Sequence, residues 1–191
     1  MWRTRVGYAG GDSANPTYHS IGDHTECFQV DFDPTAVAYE DLLVLAFDSH
    51  DPTRQPYKTQ YASLVLAHDE AQLASARAIA EQMAGVLGHP VHTRIEPLKR
   101  FYLAEDYHQK YYLRNDRELM AEFRAMLGAD EDALRESTAA ARVNGYVAGD
   151  GARADLEVEV DSFGLSAEGR AHLIARVRDT GSRIGCALGP R

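Results

Sequence analysis

The chain has 191 residues, 45% hydrophobic and 26% charged, with a net charge of −9. This is enough chain to bury one substantial core plus an appendage, and no apolar run approaches the length that spans a bilayer. The acidic balance and the scattered basic residues exclude a phosphate-backbone partner, so no nucleic acid and no membrane is expected.

A short extended segment ends at residues 6–8, and Gly7, Gly10 and Gly11 follow where the chain must turn tightly. Asn15-Pro16 continues the turn and presents Thr17 and Tyr18. From Glu26 the pattern alternates as a strand. Glu26, Phe28, Val30 and Phe32 share one face, expected to be the core face, and Cys27, Gln29 and Asp31 share the other. A carboxyl on an apolar face would be desolvated and would hold its proton towards neutral pH, as a general acid requires.

Asp33-Pro34 stops the strand, and residues 39–50 have helical spacing, with Leu42, Leu43, Ala46 and Phe47 on one stripe. After Asp51-Pro52, residues 59–66 read as a strand, central because its later part is almost wholly apolar. An Ala-rich helix is expected over residues 69–86, stopped by Gly88 and Pro90, and a short strand over 91–95. Strands alternating with helices give an α/β layer. Residues 101–112 are aromatic and polar at once, able to pack on a core while offering hydroxyls. Helices are expected over 117–127 and 130–142, a turn at residues 144–146, an edge strand through Leu156, Val158 and Val160, and an amphipathic helix over 167–178. The implied division is a domain over residues 1–115, a helical extension over 116–148 and a small appendage over 149–191.

Two cysteines, Cys27 and Cys186, stand far apart and outside any Cys-x-x-Cys spacing, and the eight histidines are dispersed, so neither a disulfide framework nor a metal site is indicated. Met1 is followed by a basic stretch and then glycines with no apolar signal core, which makes the cytoplasm the expected location.

Seven segments occur in a telling order: Val-Gly-Tyr-Ala-Gly-Gly (6–11), Asn-Pro-Thr-Tyr (15–18), His-Thr-Glu (24–26), Asp-Pro (33–34), His-Asp-Pro-Thr (50–53), Thr-Gln-Tyr (59–61) and Ala-Glu-Asp-Tyr-His-Gln-Lys-Tyr (104–111). Together they resemble the type A peptide-methionine (S)-S-oxide reductases over roughly the first 110 residues. The resemblance implies a two-layer, ferredoxin-like α+β sandwich in which a cysteine thiolate attacks a sulfoxide sulfur while acidic and phenolic groups handle the oxygen. By this resemblance Glu26 is the acid and Tyr18 and Tyr61 are the phenols that hold the sulfoxide oxygen. Asp106 and His108 would support the site, or simply start a helix. No bound cofactor is implied; the reductant would be thioredoxin or another thiol, acting after a sulfenic acid forms.

The family's nucleophile lies in a Gly-Cys-Phe-Trp motif that precedes the Val-Gly-Tyr-Ala-Gly-Gly segment, and this motif does not occur here, nor do the strand and helix around it. The expectation is that the full-length form carries it upstream. The alternative is a catalytically inactive relative that binds methionine sulfoxide or a partner. The loop between Pro52 and Thr59 lacks a Gly-Asn-Asp piece of the family, the turn between Tyr18 and Glu26 is shorter, and Val147 follows Asn-Gly-Tyr where a recycling cysteine would stand. Cys186 is the remaining candidate for that role. Cys27 adjoins Glu26, but alternation puts their side chains on opposite faces, which suits a strand residue better than a nucleophile.

Overall fold

The computed structural model describes residues 2–177, which fall into two units. One comprises residues 6–28 and 33–104; the other comprises residues 2–5, 29–32 and 105–177.

In the first unit, helices α1 (Tyr39–Asp48) and α2 (Glu70–Leu87) pack on a parallel pair of strands, β3 (Leu64–Ala67) and β4 (Arg94–Pro97), with Leu64 opposite Arg94. Leu43 and Phe47 of α1 and Ala76, Ile79 and Met83 of α2 form the buried seam, a spacing of three and four residues that puts each set on one helix face. The ends of α2 follow from its caps. Asp69 accepts a bond from the Gln72 amide at 2.8 Å, and Gly88 takes a left-handed φ of 68° where a side chain would be strained. The β3 pairing corrects the expectation of a central strand: among the described residues it pairs with β4 alone, and residues 59–61 ahead of it form a 3-10 turn. Thr59 and Gln60 use their polar groups on another strand, which removes them from the ladder.

A three-stranded sheet has the order β2 (Thr25–Asp31), β1 (Arg3–Ala9), β5 (Phe101–Leu103), with β1 antiparallel to β5. Gly7 lies opposite Leu103 here. A Cβ on Gly7 would stand 2.3 Å from the Tyr102 carbonyl oxygen, so this glycine provides close approach rather than a special φ. Only Gly10, with φ of 82°, uses the left-handed freedom expected of the glycine cluster's turn.

The second unit is helical: α3 (Tyr111–Arg114), α4 (Arg117–Leu127), α5 (Glu131–Glu136), α6 (Thr138–Ala148), α7 (Arg153–Glu159) and α8 (Ala167–Arg176). They enclose one core that includes Leu113, Leu119, Phe123, Val143, Tyr146, Leu156, Phe163 and Leu173. Three expectations are corrected. The helix expected over 130–142 is two helices, because Ser137 is extended (φ −70°, ψ 124°) and its hydroxyl accepts from the Ala140 amide, starting a new helix. The turn expected at 144–146 lies inside α6. There Asn144 spends its side-chain oxygen on the Tyr112 and Leu113 amides at the start of α3, Tyr146 is buried, and the chain turns instead at Gly149. The strand expected through Leu156, Val158 and Val160 is helical: Leu156 and Val160, four residues apart, are buried, while Val158 between them is 86% exposed.

Candidate active site

The segment from Gly10 to Glu26 is held by two side chains that sequence reasoning did not single out. His24 is buried, donates from Nε2 to the Ser13 carbonyl at 2.8 Å and accepts at Nδ1 from the Gly11 amide at 3.3 Å. Asp23 accepts from the Asp12 and Ser13 amides at 2.9 and 3.0 Å and from the Ser13 hydroxyl at 2.6 Å; that hydroxyl, then the two amides, hold its carboxyl well below the usual range. Together they pin the glycine turn to the start of β2. The signal was available in the His-Thr-Glu segment and the adjacent Asp, but a buried histidine that satisfies backbone groups has no distinctive spacing.

Within this frame, Tyr18 sits in a small turn closed by reciprocal Thr17–Ser20 backbone bonds, edge-on to His19. Glu26 is the second residue of β2, and the Thr59–Tyr61 turn is fastened beside it. The Thr25 hydroxyl donates to the Thr59 carbonyl at 2.7 Å, and the Gln60 amide donates to the Glu26 carboxylate at 2.6 Å. Tyr61 therefore follows directly on the residue that holds Glu26, and comes from a 3-10 turn rather than the expected strand. Gln60, not foreseen as a site residue, lay in the Thr-Gln-Tyr segment.

One expectation about this strand is overturned. Glu26 and Phe28 do share a face, but it is the open one: Glu26 is exposed and Phe28 is 69% exposed, whereas Thr25 is buried and Cys27 faces inward. β2 is an edge strand of its sheet; Glu26 and Phe28 at its start are open while Val30 and Phe32 further along are half-buried, so the burial expected for Glu26 is not found. Cys27 is the desolvated group. Its thiol donates to the Thr25 carbonyl at 3.3 Å, and burial pushes its pKa up to about 11.

Asp106 and His108 belong to the helical unit, where they open and close a 3-10 turn over Asp106–His108. Asp106 is exposed. His108 is half-buried, 4.0 Å from the Glu105 carboxylate, with its ring 4.2 Å from that of Tyr107. Cys186 lies outside the described residues.

A family model described as peptide methionine sulfoxide reductase matches residues 1–140. The chain belongs to this family. A second model, described as the helical domain of selenoprotein methionine sulfoxide reductase A, matches residues 128–170, the stretch holding α5, α6, α7 and the start of α8. A Drosophila melanogaster peptide methionine sulfoxide reductase is 37% identical over 187 residues, 96% of this chain and 74% of that protein. The Deinococcus radiodurans relative is 44% identical over 124 residues, and the match spans 60% of its length. Among solved structures, reduced Mxr1 of Saccharomyces cerevisiae is 32% identical at a TM-score of 0.53, covering 59% of this chain and 70% of that one. Methionine sulfoxide reductase A of Corynebacterium diphtheriae is 36% identical at 0.51, covering 59% and 63%. The expected α+β class and membership of the peptide methionine sulfoxide reductases, which are oxidoreductases, both hold.

Proposed function

We infer that the protein acts on methionine-S-sulfoxide, free or in proteins, and supplies the oxygen-handling half of the reductase site through Glu26, Tyr18 and Tyr61. The observation that supports this reading is the fastening of the Thr59–Tyr61 turn to β2, in which Tyr61 follows in the chain the residue that grips the Glu26 carboxylate. In the reaction, the thiolate of the Gly-Cys-Phe-Trp cysteine, in a form of the protein that carries it, attacks the sulfoxide sulfur, and the phenols of Tyr18 and Tyr61 donate hydrogen bonds to the sulfoxide oxygen. A proton from the Glu26 carboxyl then neutralises that oxygen as it passes to the attacking sulfur, leaving a sulfenic acid and the methionine thioether. Glu26 is exposed, and substrate hydrocarbon laid over the Glu26–Phe28 face would exclude water from it.

The Gly-Cys-Phe-Trp motif is not among the 191 residues, and Cys27 is turned inward. The sulfenic acid would be reduced by thioredoxin or another external thiol, without a bound cofactor, and Cys186 is the candidate for relaying the disulfide. The setting would be cytoplasmic repair of oxidised methionine; two cysteines outside disulfide spacing suit a reducing compartment, and no described helix is long and apolar enough to cross a membrane. Asp106 and His108 remain proposed supports of the site.

The test pairs binding with turnover. Titration with the S and R epimers of N-acetyl-methionine sulfoxide, followed by tyrosine-ring NMR, is expected to show S-selective binding that weakens in Tyr18→Phe and Tyr61→Phe. Turnover with dithiothreitol or thioredoxin, measured on a form that carries the Gly-Cys-Phe-Trp cysteine, is expected to fall about 100-fold or more in Glu26→Gln. Equal binding of both epimers would overturn the site assignment, and S-selective binding without turnover would make this chain a sulfoxide-binding relative.

A further inference from the structure

The His-Asp-Pro-Thr segment, which the oxygen site does not use, is where three hydroxyl and imidazole groups meet. His50 follows the C-terminus of α1, and its Nδ1 lies 2.8 Å from the Ala46 carbonyl oxygen. A carbonyl only accepts, so Nδ1 carries a proton and, in the neutral ring, Nε2 presents its lone pair. That lone pair faces the Ser63 hydroxyl at 2.6 Å, and the Thr93 hydroxyl stands 2.7 Å from Ser63 Oγ and 3.2 Å from Nε2. The imidazole is stacked against Phe47, and His50 is exposed with Ser63 half-buried beside it, so a reagent can approach the pair.

The serine is held as firmly as the base. Gln55 accepts from the Ser63 amide at 3.0 Å and donates to the Ser63 and His92 carbonyls at 2.7 and 2.6 Å, while the Arg94 amide donates to the Ser63 carbonyl as β4 joins β3. Thr93 is buried and cannot swing away. An imidazole oriented by a carbonyl at a helix C-terminus, where the partial charge is negative, with Asp51 next to it, is well placed to accept and carry a proton. We propose that Ser63 is a nucleophile activated by His50, with Thr93 as a positioning residue, and that it accepts acyl groups from small activated esters.

In the step, Ser63 Oγ attacks the acyl carbon and its proton passes to His50 Nε2. The bond to the leaving alcohol then breaks as the imidazolium returns the proton to it, leaving an ester on Ser63. Water, deprotonated by the same Nε2, releases the acid and restores the serine. An alkyl fluorophosphonate probes the first half-step irreversibly: the Ser63–phosphorus bond forms, the phosphorus–fluorine bond breaks, and fluoride leaves.

Incubating the native full chain with a fluorophosphonate, then measuring intact mass and mapping peptides, is expected to give one adduct, on Ser63, that is lost when labelling is done in denaturing urea. His50→Gln, checked for fold by circular dichroism, is expected to slow labelling about 100-fold or more. Added imidazole is expected to restore part of the rate in His50→Ala. No adduct in the native chain, an adduct elsewhere, or equal labelling of native and unfolded protein would each overturn the proposal. So would a folded His50→Gln that labels as fast as the parent. The wild-type comparison stands without any variant having to fold.

Discussion

Glu26 and Cys27 are adjacent, and alternation along β2 had to send them to opposite sides; which side was the interior could not be read from the strand alone. Phe28, Val30 and Phe32 suggested that the Glu26 face was buried, yet the residues that fill the interior here are Thr25 and Cys27. The consequence for chemistry is concrete. A thiolate forms at Cys27 only against the desolvation that pushes its pKa up to about 11, and the nearby Arg94 lowers it too weakly to compensate. Native protein at pH 8 is therefore expected to leave Cys27 unmodified by iodoacetamide over times that fully alkylate it in urea, as peptide mapping of both samples would show. Ready modification of Cys27 in the folded chain would mean that β2 opens or that its inward face is not closed.

At the scale of elements, what the sequence made legible was what local chemistry decides. The Gly88 stop bounded α2 almost to the residue and α4 lies at the expected 117–127; Asp69 and the Asp116 bond to the Leu119 amide cap their first turns. The helical second half was less legible because its pattern is ambiguous. Leu156 and Val160 satisfy both a two-residue and a four-residue period, and only the shared core with Phe163 and Leu173 selects the helix. Asn144-Gly145 looks like turn chemistry until its side chain is needed to satisfy the amides of α3. The candidate site was legible as a set of segments but not as a geometry, since the Gln60 bond to Glu26 and the His24 pin join residues far apart in the chain. Ser137 gives a quantitative check on the break between α5 and α6. Its hydroxyl serves the Ala140 amide, so Ser137→Ala is expected to lower unfolding stability by about 1 kcal/mol in urea titrations, and Ser137→Asp to preserve it. No loss in the alanine variant would show that the break is held by packing rather than by the cap.

The balance of the molecule as a whole shows in how its stability should depend on pH, and Lys110 makes this testable. It is one of two non-glycine residues with positive φ among the described residues, and its ammonium is buried, donating to the Thr4 carbonyl at 2.6 Å and the Arg135 carbonyl at 2.9 Å. Burial lowers its pKa from 10.5 to about 8; Glu136 opposes the shift, while Arg5, Arg135 and Arg114 reinforce it. Because the folded value lies below the unfolded one, the unfolded chain binds more protons above about pH 8, and stability must rise with pH there. Cys27 acts in the other sense. Its folded value of about 11 lies above the unfolded value of 9.0, so stability is lost as pH rises past 9. The two opposite slopes leave a window between about pH 8 and 9 in which Lys110 dominates. Urea midpoints measured across pH 7 to 10 are expected to climb through that window and then flatten, with a gain of about 1 kcal/mol by pH 9. Lys110→Met should remove the climb and unmask a fall above pH 9, and Cys27→Ser should extend the climb towards pH 10. A parent profile that falls monotonically from pH 7, or a Lys110→Met profile parallel to the parent's, would show that the ammonium reaches water in the folded chain.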